Sequence, residues 1–168
     1  MSLVARLRRE TAADHDAVDA GYGRFALDDP TDYRLFLAAH ARALPAVEAV
    51  LASDGDLPPW RGRTALLAED LAALGAIAPS PLPFAAGSGE RWGALYVIEG
   101  SRLGGMLLAR RIGSGQPAAY LGAKHLPGEW RALLGAIDAH AAGEAEPWRA
   151  AAVEGARRAF GLYRAALG

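Results

Sequence analysis

The chain contains no cysteine. That excludes disulfides, iron–sulfur clusters, thiolate zinc sites and any prosthetic group held through a cysteine sulfur. Lysine is almost absent: Lys124 stands alone, arginine carries the positive charge, and the formal net charge is −1. So small an imbalance gives no bulk pull toward nucleic acid or a membrane surface. Long apolar runs are missing too. The N-terminus, MSLVARLRRETAADHD, lacks the apolar core of a signal peptide, and no segment approaches the roughly 20 apolar residues of a membrane span. The expectation is a cytoplasmic protein with no nucleic-acid partner and no membrane partner. Strand alternation, internal repeats and an interdomain linker are also absent.

What is present is an ordinary globular balance, 52% hydrophobic and 22% charged over 168 residues. One domain spanning 1–168 is large enough to bury a core. The pattern is helical nearly throughout, so the fold class is all-α with about six helices. Ser2 caps a first helix running to about Asp19. Thr31 or Asp32 opens a second, which Pro45 is expected to kink. The third, RTALLAEDLAALG, closes at Gly75. Ser88 starts a fourth with Glu90 in its first turn. The irregular stretch GSGQPAAYLGAKHLPG is long enough to cover a ligand. Two further helices follow, with Pro147 near the start of the last.

The fourth helix contains an anomaly. The stretch YVIEGSRLGGMLLARR, from Tyr96 to Arg111, is helical in pattern yet carries Gly100, Gly104 and Gly105 in its middle. Each costs a helix interior about 1 kcal/mol relative to alanine. Gly100 and Gly104 share a face, and Gly105 widens the gap. Such a row fits tight helix–helix packing. It equally fits a kinked helix whose bare backbone lies against a flat ligand. Ser101 supplies the one hydroxyl on the segment.

On the first helix, His15 falls at the edge of the inward stripe set by Leu3, Leu7 and Val18. A neutral imidazole there can ligate a metal or accept a proton, or it can simply bond Asp19 at i+4. Arg8 lies seven residues earlier on nearly the same face, roughly 10 Å along the axis. That pair suits a flat ligand with a central metal and peripheral carboxylates. His40, among apolar residues, is expected as a satisfied core histidine, with His125 and His140 facing solvent.

Together these motifs resemble the haem oxygenase family. TAADH is similar to the family's Thr-x-x-x-His before the proximal iron ligand, which implies His15 in that role, with Asp19 where the family usually has glutamate. RTALLAEDLAALG is similar to the Lys/Arg-x-x-x-Leu-x-x-Asp-Leu segment. EGSRLGG resembles the distal helix, most closely that of the short bacterial members found with bacteriophytochromes.

The resemblance implies haem as both cofactor and substrate, sandwiched between the first helix and the glycine helix. It implies opening of the porphyrin at a meso carbon to biliverdin, carbon monoxide and ferrous iron. Dioxygen would be co-substrate and an external donor, such as ferredoxin or a flavoprotein reductase, would supply electrons. A biliverdin-using photoreceptor is a further implied partner. Gly100, Ser101, Gly104 and Gly105 would form the oxygen-side wall. Arg8 and Arg131 would hold the propionates, and Phe160 would stand near the pocket. The chain departs from many members at Ser101, where they carry an aspartate that organises water.

Three rival readings differ in class, the last of them a pure interaction bundle, which leaves the glycine row and the ordered motifs as coincidence. A haem carrier would share every motif, with Ser101 its only hint. A di-iron bundle needs Glu-x-x-His pairs, but the residues three before the histidines are Ala12, Leu37, Gly122 and Ile137.

Overall fold

The structure, a computed structural model, describes residues 1–53 and 55–168. Among these, seven helices and no strands occur: α1 (Leu3–Glu10), α2 (Ala12–Tyr22), α3 (Pro30–Leu51), α4 (Thr64–Ala73), α5 (Ser88–Ala109), α6 (Glu129–Ala142) and α7 (Glu146–Ala165).

The extra helix arises because the expected first helix is broken at Thr11. Its hydroxyl donates to the Leu7 carbonyl at 2.7 Å, and its ψ of 9° departs from helical geometry. Back-bonding of this kind bends helices. The break separates Arg8 on α1 from His15 on α2. Ser2 caps α1 by accepting from the Ala5 amide.

Asp29 caps α3, accepting from the Thr31 and Asp32 amides, with Pro30 in the first turn; the helix therefore starts slightly before Thr31. It continues through Pro45 to Leu51. α4 is capped from a distance: the Glu48 carboxylate of α3 accepts from the amides of Arg63 and Thr64 at 2.7 and 3.0 Å. Gly75, at φ +70°, ends it in a Schellman arrangement, with Gly75 N–H donating to Ala72 and Ala76 N–H to Leu71. Glu90 of α5 reaches back to the Gly87 amide at 2.7 Å.

α5 is helical without interruption through Gly100, Gly104 and Gly105. Its principal neighbour is α7, and the closest backbone approach lies elsewhere on it. A Cβ at Gly93 would collide with the backbone of Ala152, and one at Gly155 with the backbone of Glu90. Tight helix packing is therefore carried by Gly93 and Gly155, which frees the later glycines to face other groups.

The irregular stretch 113–128 folds back over α5. The buried Asp70 carboxylate holds it by accepting from the amides of Ala119 and Tyr120 at 3.1 and 2.8 Å. This return corrects the expectation for His125, whose side chain is 7% exposed. Its Nε2 donates to the Glu99 carbonyl at 2.9 Å, and its ring stacks on Trp130. His140 stays one-third exposed while its ring stacks on Trp92, with ring centres 4.1 Å apart.

Candidate functional site

A cavity of about 600 Å³ opens between α2 and α5 and reaches α1, α3, α6, α7 and the 113–128 stretch. That volume suits a bound small molecule. His15 stands on its α2 wall. The side chain is 59% exposed, and Nδ1 lies 3.5 Å from an Asp19 carboxylate oxygen. The Phe160 ring meets the imidazole edge-on at 5.8 Å.

The α5 wall carries Gly100, Ser101, Gly104 and Gly105. Their surroundings differ. A Cβ at Gly104 would meet nothing within 4 Å, one at Gly100 would meet the Trp130 ring at 3.3 Å, and one at Gly105 the Leu121 carbonyl at 3.3 Å. Only Gly104 presents bare backbone to open space; the other two accommodate side-chain and loop walls.

Arg8 also contributes to the wall. Arg131 is exposed and lies outside it, while its neighbour Trp130 lies within. Glu99 faces away from the cavity and pairs with the buried Arg102 at 3.0 Å.

The polar end of the cavity went unread in the sequence. His40, Arg63, Tyr120 and Tyr163 all reach it. His40 Nδ1 and the Tyr120 hydroxyl are 2.6 Å apart, but His40 Nε2 and the Tyr163 hydroxyl are buried without a protein partner. His40 is thus half satisfied rather than a closed core residue. Arg63 was legible only as the basic position of the Lys/Arg-x-x-x-Leu-x-x-Asp-Leu resemblance, with nothing to say which cavity it would reach.

Burial, reinforced by Arg63, pushes the His40 pKa down to about 3 from 6.5. The ring is therefore neutral in the folded protein at every ordinary pH. Unfolding releases it to its normal value, so below about 6.5 the unfolded chain takes up a proton that the folded one refuses. Stability from this group falls as pH drops from 6.5 toward 3, by about 1.4 kcal/mol per pH unit at most. Urea unfolding at pH 7 and pH 5 should show the loss, and His40→Gln should flatten it. An unchanged slope in that variant would assign the acid sensitivity to other groups.

The fold and site define an all-helical bundle with a cavity between a histidine-bearing helix and a helix that presents bare backbone at Gly104. No family model matches the chain. A protein of Xanthomonas campestris pv. campestris (strain 8004), described as heme oxygenase, is 33% identical over 152 residues, covering 83% of this chain and 90% of that protein. A solved heme oxygenase from Neisseria meningitidis, bound to NO and CO, matches with a TM-score of 0.83 and 25% identity, over 99% of this chain and 90% of the other. The chain belongs to the haem oxygenase family, the enzymes that degrade haem.

Proposed function

We propose that this chain opens haem to biliverdin, carbon monoxide and ferrous iron with His15 as the iron ligand, using dioxygen and electrons from an external donor. The observation that carries this reading is one cavity with the His15 imidazole on its α2 wall and the open face of Gly104 on its α5 wall. Haem, as substrate, brings the iron at which dioxygen is reductively activated.

The chain's own residues then have separable tasks. With Nδ1 turned to Asp19 at 3.5 Å, His15 offers Nε2 to the iron, and the carboxylate helps orient the ring. A neutral imidazole avoids the electron push of a thiolate, which favours O–O cleavage. Phe160 supports the ring edge. Arg8 makes no hydrogen bond or ion pair among the described residues and is available to a propionate. Arg131, outside the wall, would have to reach a propionate from the rim. Gly100, Gly104 and Gly105 limit the space above the ring to small ligands, and Ser101 holds water there. His40, kept neutral, relays hydrogen bonds rather than donating as an acid.

No helix among the described residues is long and apolar enough to cross a membrane. A cytoplasmic setting, with a ferredoxin or flavoprotein reductase as donor and a biliverdin-using photoreceptor as recipient, belongs to this proposal.

The test mixes purified protein with haemin, then adds reductant, oxygen and catalase, the last to suppress free peroxide. A stoichiometric complex that yields biliverdin and carbon monoxide supports the reading. Binding without ring opening would make the chain a haem carrier, and absence of a specific complex would remove haem altogether.

Gly104 gives a second check. Gly104→Ala should stabilise the ligand-free chain by up to ~1 kcal/mol through helix propensity, raising its melting temperature by roughly 2–4 °C. The same methyl enters the cavity, so haemin affinity should fall. If affinity is unchanged, the α5 glycine wall does not face the ligand.

A further inference from the structure

We infer that Arg63 locks Ser101 as an acceptor toward the cavity, so that the serine holds a water by accepting its hydrogen, as a carboxylate would. This rests on the haem reading and adds to it a positioning residue.

A serine hydroxyl has one hydrogen to give and two lone pairs to receive. Here the hydrogen goes to the Ile98 carbonyl at 2.6 Å. One lone pair accepts from Arg63 Nη2 at 2.8 Å. What is left on the cavity side is a single lone pair. Ser101 therefore has no hydrogen for a ligand above the ring unless its hydroxyl turns.

Arg63 prevents that turn because it is itself held from several sides. It is 3% exposed. Its Nη2 also donates to the Ile98 carbonyl. Its guanidinium lies over the Tyr120 ring, 5.3 Å from the centre, and its backbone amide is tied to Glu48 at 2.7 Å. Tyr120 is in turn fixed by Asp70 from behind and by His40 at its hydroxyl.

A water in such a place needs two to four polar partners. His40 Nε2 and the Tyr163 hydroxyl, both buried and unpartnered, line the same cavity. A water donating one hydrogen to Ser101 keeps its second for the cavity.

The experiment is a double-mutant cycle on the ferric haemin complex, reading the midpoint of its acid–alkaline transition from the visible bands. Accepting a hydrogen bond from neutral water disfavours its ionisation. Ser101→Ala should therefore lower the midpoint, by ~0.5 unit or more. Arg63→Lys keeps the charge but loses the planar fork. It should lower the midpoint likewise and add nothing further in the Ser101→Ala background.

Ser101→Thr, which retains the hydroxyl, should stay near wild type and gives a test that leaves Arg63 intact. A rise in Ser101→Ala would make the serine a donor and overturn the inference. Additive shifts would do the same, because Arg63 would then act by itself. A wild-type chain that forms no haemin complex sinks the haem reading; a wild type that binds, with a cycle that adds up, sinks this inference alone.

Discussion

Replacing His15 with alanine should leave the ligand-free protein folded and remove its function. The side chain is 59% exposed, and its contacts are the distant Asp19 carboxylate and the edge of Phe160. Surface substitutions of this kind change stability by within ~0.5 kcal/mol. As the proposed iron ligand, by contrast, His15 has no other imidazole beside it on the α2 wall. His40, the other histidine lining the cavity, is tied to Tyr120 at the polar end. Loss of an outer partner of a metal ligand typically costs 10–100-fold, and loss of the ligand itself should cost ~100-fold or more in biliverdin formation. The Soret band of the haemin complex should shift or broaden at the same time. A His15→Ala chain that keeps the wild-type spectrum and rate would move the ligand elsewhere. Asp19→Asn gives the graded form: it should retain the complex and slow turnover, because it removes the charge facing Nδ1.

The largest expected loss of stability is at the crossing of α5 and α7. A methyl at Gly93 would fall well inside van der Waals contact of the Ala152 carbonyl, and one at Gly155 inside that of Glu90. Both obstacles are backbone, so no rotamer change relieves them; the helices must separate. Overpacking of well-packed sites costs 1–3 kcal/mol and occasionally more. Gly93→Ala should sit at the upper end, ~3 kcal/mol or more, which for a chain of this length is roughly 10 °C in melting temperature. The direction is opposite to that at Gly104, although both are helical glycines replaced by alanine. Thermal unfolding of Gly93→Ala, Gly155→Ala and Gly104→Ala side by side checks this. Equal behaviour would mean that α5 does not pack on α7 through Gly93. Because α5 also carries the cavity wall, Gly93→Ala should weaken haemin binding as well, without touching the ligand.

These three glycines show where reading the chain alone succeeds and stops. The row at Gly100, Gly104 and Gly105 was visible because helical periodicity puts it on a face. Its two explanations, close packing or a ligand wall, could not be separated, since periodicity names a face and not its partner. The structure gives the packing to Gly93 and Gly155 and the open wall to Gly104. Thr11 shows the same limit. Its motif pointed to His15, but the i−4 back-bond that splits α1 from α2 depends on which rotamer the packed helix permits.

By itself the sequence determined the helical class, the starts at Ser2 and Ser88, the stop at Gly75, and the pairing of a His15 motif with a glycine-bearing helix. Those are interactions within about one helical turn, where propensity and capping act directly. The tertiary structure alone decided that His125 is covered, that Arg131 lies outside the cavity wall, and that Arg63, 38 residues before Ser101 in the chain, meets its hydroxyl. It likewise brought His40 to Tyr120 across 80 residues. Contacts at such separations form only when packed helices and the returning 113–128 stretch bring the groups together, and no local preference encodes which partner each will find.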